Sequence, residues 1–143
     1  MGYSKLIALP DGTKVRGSAV DRQTDRTIER DFGLYCYPRW SPEWPHELID
    51  WPDFGVPVDP ERAAEQIIRA FEKAKRGLKV ETGCWGGRGR TGTVLACWAI
   101  LAGIKTEEAV AWIRKNYWDE AVETPEQERW IGWFGKKARK GPG

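Results

Sequence analysis

Apolar positions recur along this chain with two spacings, and the change from one to the other marks its elements. Ser4–Ala8 and Lys14–Ala19 read as short strands joined through an Asp11-Gly12 turn, and Phe32–Tyr37 reads as a third strand. From Asp59 the spacing becomes helical. Asp59 and Pro60 supply an acidic N-cap and a first-turn proline, Ala64, Ile67, Ile68, Phe71 and Ala74 form one apolar face, and Gly77 ends the helix. Leu78–Thr82 follows as a strand, and Arg90 to about Ala102 as a helix apolar on every side, stopped at Gly103. Thr106 is expected to cap a further helix bearing Val110, Ile113 and Tyr117. Thr124-Pro125-Glu126-Gln127 forms a capping box for a last helix with the stripe Trp130, Ile131, Phe134.

Two stretches resist this treatment. Asp21–Asp31 alternates charges without a clean period and is either a short helix or a loop. Residues Pro38–Pro60 are too rich in proline for a helix and are expected to run extended into a mobile loop, with Leu48-Ile49 as a short strand. The order of elements predicts an α/β fold in a single domain. A central mixed sheet around strand 78–82 is flanked by helices, with the functional site at that strand's carboxyl end.

Composition narrows the class. A length of 143 residues suits one domain with a real core, and 41% hydrophobic with 31% charged residues predicts a soluble globular protein. The net charge of +2 is too balanced to argue for a membrane or nucleic acid partner, although Lys136-Lys137-Ala138-Arg139-Lys140 is basic. Residues from about 138 to 143 are expected to form a flexible basic tail. No apolar run is long enough for a membrane span or a signal-peptide core, and Met1-Gly2 lacks the serine or threonine that myristoylation requires, so the expected location is cytoplasmic. Three cysteines, Cys36, Cys84 and Cys97, without a Cys-x-x-Cys pair, and one histidine, His46, argue against a disulfide scaffold or a metal site. Cys36 and Cys97 are read as small buried hydrophobes and His46 as a solvated loop residue.

The candidate chemistry lies in Lys79–Thr93, where a β-prone segment enters a glycine-dense turn that opens a buried helix. Backbone N–H groups of such a turn and of the helix start can converge on one anion, which the helix dipole favours. Cys84 opens the loop, Arg90 follows after five residues, and Thr91 comes next. N–H dipoles and a guanidinium around a thiol favour its thiolate, the nucleophilic form. Arg90 offers a planar fork that grips two phosphate oxygens, and Gly86, Gly87 and Gly89 allow close backbone approach. Gly87 to Gly92 also spells G-x-G-x-x-G, but the acidic residues about twenty positions on, Glu107 and Glu108, fall in a helical segment rather than at a strand end. A Walker loop fails because Thr93 stands where lysine is needed.

Gly83-Cys84-Trp85-Gly86-Gly87-Arg88-Gly89-Arg90-Thr91-Gly92 resembles the Cys-x5-Arg-Thr/Ser signature loop of the cysteine-dependent protein tyrosine and dual-specificity phosphatases. Trp51-Pro52-Asp53-Phe54-Gly55-Val56-Pro57 is similar to that superfamily's Trp-Pro-Asp loop. The resemblance runs from about Trp51 to Gln127 and implies a protein tyrosine phosphatase-like fold. It implies phosphomonoester hydrolysis without metal or organic cofactor. In this scheme Cys84 is the nucleophile, Asp53 the general acid and base, and Thr91 a donor to the departing sulfur. Trp85, Gly86, Gly87, Arg88, Gly89 and Arg90 hold the phosphate.

The family also carries glutamines that position the hydrolytic water. Gln127 stands near the second such place, as cap or water positioner, while Glu123 replaces the first. In the family a histidine normally precedes the cysteine and helps order the loop; here that residue is Gly83, a departure expected to weaken the loop's support of the thiolate. The expected partner is a phosphorylated protein or peptide, most of all a phosphotyrosine, met by a monomer. A phosphate-binding module with little turnover and an RNA 5′-phosphatase are the alternatives. Most tryptophans are expected in the core, with some able to wall the pocket.

Overall fold

The computed structural model describes residues 3–21 and 23–139, and it is built on one fully buried strand, β5 (Val80–Cys84). Its neighbours are β2 (Lys14–Ala19) on one side and β3 (Phe32–Tyr35) on the other, both parallel to it. β1 (Ser4–Ala8) pairs antiparallel with β2, and β4 (His46–Leu48) pairs parallel with β3. The sheet is therefore mixed and five-stranded, in the order β1-β2-β5-β3-β4. Register matters at its carboxyl end, where Ala19 faces Cys84 and Tyr35 faces Gly83.

Four α-helices surround it: α1 (Pro60–Lys75), α2 (Gly89–Leu101), α3 (Ala109–Asn116) and α4 (Pro125–Arg139). The apolar character of α2 has a direct consequence: eleven of its thirteen residues are buried, because it packs on β5 and β2 and also meets each of the other helices. Trp98 fixes its rotation by donating its indole N–H to the Ile67 carbonyl of α1 at 2.9 Å. Among the described residues no helix is long and apolar enough to cross a membrane.

Helix caps follow the sequence closely. Asp59 accepts from Arg62 N at 3.1 Å, and Gly77 and Gly103 adopt φ of +94° and +112° just past their helices. Thr124 Oγ1 accepts from Gln127 N at 3.2 Å, and Gln127 Oε1 accepts in return from Thr124 N at 3.3 Å.

Several expectations shift. Thr106 is not an N-cap: it lies in a 3-10 turn (Thr106–Glu108) that precedes α3, with its side chain against Gly135 of α4. Tyr117 falls just beyond α3 rather than within it. The strand expected at Leu48-Ile49 is β4 at His46–Leu48, so His46 is half-buried beside the Tyr35 ring instead of sitting in a solvated loop. Ala138 and Arg139 belong to α4, and the rest of the expected basic tail, 140–143, lies outside the described residues.

Residues 21 and 23–31 lie in a loop, folded by Asp21 and Asp25, whose carboxylates accept from Gln23 N and Thr27 N at 2.7 and 2.9 Å. This loop delivers Arg30 to a buried carboxylate on β5. Arg30 grips Glu81 with two bonds of 3.0 Å, and Tyr35 and Ser18 complete the set at 2.7 and 2.6 Å. A buried ion pair is sustainable only when its remaining polar atoms are satisfied, as these are.

Candidate active site

Cys84 ends β5, and the chain then turns through residues 85–88 into α2. Arg88 stands at the N-cap of α2 with no side-chain capping bond, and the first turn carries no acidic residue. The helix thus presents its free N–H groups and positive dipole end to whatever lies at the mouth of the loop. Gly87 has φ of +71°, and a Cβ there would stand 2.8 Å from Ala19 N, so only glycine lets the loop lie against β2.

The Cys84 side chain is buried in the loop, and its Sγ accepts a hydrogen bond from Thr91 Oγ1 at 2.9 Å. Arg90, also buried, donates from Nη1 to the carbonyls of Cys36 and Trp51 at 2.8 and 3.0 Å. Those two bonds fix the plane of the guanidinium. Its other edge is uncommitted: Nε is buried without a partner among the described residues, and Nη2 meets only Asp53 Oδ1 at 3.4 Å. A guanidinium edge with a buried, unpaired N–H is suited to a bidentate oxyanion.

Asp53 lies on an exposed turn closed by Gly55 N donating to the Pro52 carbonyl at 2.9 Å. Its neighbour Phe54 holds φ of +62°, a left-handed conformation unusual for a bulky residue, and the Phe54 side chain is exposed. Trp51 anchors the turn from below by donating its indole N–H to the Gly55 carbonyl at 2.7 Å. Gln127 Nε2 donates to the same oxygen at 3.2 Å, so the opening of α4 is tied to this turn. A Cβ on Gly89 would overlap the Glu123 carboxylate, which places Glu123 at the loop's far end.

The sequence candidates therefore converge: Cys84 with Thr91, Arg90 with Asp53, and Gln127 through Gly55. Trp85 and Arg88 are different. Both side chains turn outward, Trp85 exposed beside the pocket and Arg88 over the Trp118 ring with Glu120 at 3.6 Å. The pocket has a volume of about 360 Å3, and Tyr37, Arg39, Asp53, Trp85 and Arg90 are among its walls. A larger cavity of about 820 Å3 lies toward the other end of β5, near Arg16, Lys79 and Glu81, and includes none of the loop residues.

Two contributors escape a reading of the sequence. Tyr117 donates its hydroxyl to the Gly87 carbonyl at 2.7 Å, and Cys36 orients Arg90 through its backbone. The only available signals were the aromatic residue at the end of a short helix and the strand preceding the proline-rich stretch. Burial first, and the neighbouring Cys84 second, push the Cys36 thiol well above its ordinary value, which leaves it a neutral packing group.

A family model described as protein-tyrosine phosphatase matches residues 15–129. The uncharacterized protein MJ0215 of Methanocaldococcus jannaschii is 36% identical over 115 residues, covering 71% of this chain and 69% of that protein. The crystal structure of Tk-PTP in the active form aligns with a TM-score of 0.62 and 26% identity, over 76% of this chain and 80% of that one. PTPMT1 in complex with PI(5)P shares the fold, with a TM-score of 0.68 at 17% identity, over 89% of this chain and 94% of that one.

Proposed function

Because the chain belongs to the cysteine-dependent protein-tyrosine phosphatase family, we propose that it hydrolyses phosphomonoesters through a phosphocysteine on Cys84. Two observations carry the proposal together: the Arg90 guanidinium is oriented by two carbonyls with its buried Nε left unpaired, and the Cys84 sulfur at the start of the same loop accepts a hydrogen bond from Thr91.

In the first displacement the Cys84 sulfur attacks phosphorus, forming an S–P bond as the ester P–O bond breaks. Arg90 and the N–H groups of residues 85–90 hold the equatorial oxygens, so charge spreading in the transition state meets donors already in place. Asp53 gives its proton to the leaving oxygen. Binding of the phosphate to Arg90 releases Asp53 from its 3.4 Å pairing with Nη2, and the freed carboxylate takes up from solvent the proton that it passes to the leaving oxygen. In the second displacement water attacks phosphorus, Asp53 takes the water proton, and the S–P bond breaks toward sulfur. Thr91 donates to that departing thiolate, and Gln127, beside Gly89, is assigned to orienting the water.

The substrate we propose is a phosphorylated protein or peptide, phosphotyrosine foremost with dual specificity allowed, met by a monomer in the cytoplasm. The aromatic walls Tyr37 and Trp85 of the pocket support this, as does the absence of lysine from residues 84–91, where inositide-directed relatives carry it. A panel of phosphotyrosine peptide, phosphoserine peptide, PI(5)P and triphosphorylated RNA tests it. The highest kcat/KM is expected with phosphotyrosine, and a preference for the lipid or the RNA end would overturn the assignment.

A further inference from the structure

We propose that Tyr117 is a positioning residue of the phosphate loop. Its single hydroxyl would serve the ordering role that the family's histidine before the cysteine serves elsewhere. The proposal concerns the loop assigned above, and its catalytic consequence rests on that assignment.

No side chain can serve from position 83 in this protein. A Cβ on Gly83 would stand 2.8 Å from Val20 Cγ1, 3.2 Å from the Ser18 carbonyl oxygen and 3.2 Å from Tyr35 Cδ1, so the space a histidine would use is filled. The support comes from another direction. Tyr117, buried, donates to the Gly87 carbonyl at 2.7 Å, reaching the loop backbone from 30 residues along the chain. A trans peptide is planar with its C=O and N–H opposed. Holding the Gly87 carbonyl therefore also fixes where the Arg88 N–H points, and that N–H belongs to the cradle.

Gly87 is the residue that most needs holding. As a left-handed glycine with φ of +71°, it can rotate its carbonyl at little steric cost, so its conformation must be set by a partner. Tyr117 is itself immobilised. Its carbonyl accepts from Tyr3 Oη at 2.7 Å and its ring meets the Tyr3 ring edge-on at 5.4 Å between centroids. On β2, a Cβ at Gly17 would come within 2.7 Å of the Tyr117 ring, so glycine there is what admits the ring. Burial first, then the neighbouring Cys84, hold the Tyr117 phenol above its ordinary value, so it remains a donor across the working pH range.

The substitution Tyr117→Phe keeps the ring and removes the donor. Tungstate affinity by calorimetry, melting temperature, and kcat and KM for p-nitrophenyl phosphate are compared with wild type. An unsatisfied buried carbonyl predicts tungstate binding weakened about tenfold and kcat/KM lowered by at least as much, in protein that still melts cooperatively above the assay temperature. Unchanged tungstate affinity in the folded variant would overturn the proposal. So would a variant that no longer folds, since the hydroxyl would then serve the fold and not the loop. If wild type binds tungstate but hydrolyses nothing, the phosphatase assignment fails, while the tungstate comparison still decides the role of Tyr117.

Discussion

Gln127, in the first turn of α4, donates its side-chain amide to the backbone carbonyl of Gly55, on the turn that carries Asp53, at 3.2 Å. The same oxygen accepts from Trp51 Nε1 at 2.7 Å, and Gln127 Oε1 caps α4 by accepting from Glu123 N at 2.8 Å. One buried amide thus joins the helix start to the Asp53 turn.

Replacing it tests both duties. Gln127→Leu keeps the volume but strands the Glu123 N–H, a loss of about 1–3 kcal/mol by the usual cost of an unsatisfied buried group. A melting temperature lower by several degrees and kcat for p-nitrophenyl phosphate reduced severalfold are expected. Thermal melts and steady-state kinetics on the same preparation check this, and a variant equal to wild type in both would remove Gln127 from the site.

Gly83 gives a prediction that runs against the family pattern. Restoring histidine by Gly83→His should not improve the enzyme, because Val20, Tyr35 and the Ser18 carbonyl occupy the space. Overpacking of this kind costs about 1–3 kcal/mol. A lowered melting temperature with kcat/KM at or below wild type is expected from melts and p-nitrophenyl phosphate assays; a more stable or faster variant would contradict this packing.

Much of this architecture could be read from residues alone, for identifiable reasons. Helix caps such as Asp59 and Thr124 act within four residues of themselves, so local sequence reveals them. The run from Cys84 to Thr91 is equally local in sequence, and within it the hydroxyl meets the sulfur at 2.9 Å. What stayed hidden depends on contacts between distant segments. Tyr117 reaches Gly87 from 30 residues away, and Arg30 reaches Glu81 from 51. In the sequence Tyr117 resembles any aromatic on a helix face, and Arg30 any charge in a polar loop. The half-buried place of His46 is hidden for the same reason, because β4 exists only by pairing with β3.

Stability should fall on the alkaline side. Cys36 and Cys97 are held above their ordinary value of 9.0, and Tyr35 and Tyr117 above theirs of 10.0, chiefly by burial. The unfolded chain releases these protons at lower pH than the folded one. Between the two values the native state binds more protons, so ΔG of unfolding decreases as pH rises. Melting temperature should be level with respect to these four groups below about pH 8.5 and decline from about pH 9 upward. A series of thermal melts across pH 7–11 checks it, and a curve that rises through that window would contradict the burial of these groups.

The most direct measurement is hydrolysis of p-nitrophenyl phosphate without added metal by wild type, Cys84→Ser and Asp53→Ala. Wild type should turn over and Cys84→Ser should be inactive, while Asp53→Ala, assayed also on phenyl phosphate, whose leaving group is poor, should lose about 10²–10⁴-fold in kcat on that substrate. Wild type and Cys84→Ser hydrolysing at equal rates would contradict the account, since the sulfur at the end of β5 would then take no part in the chemistry.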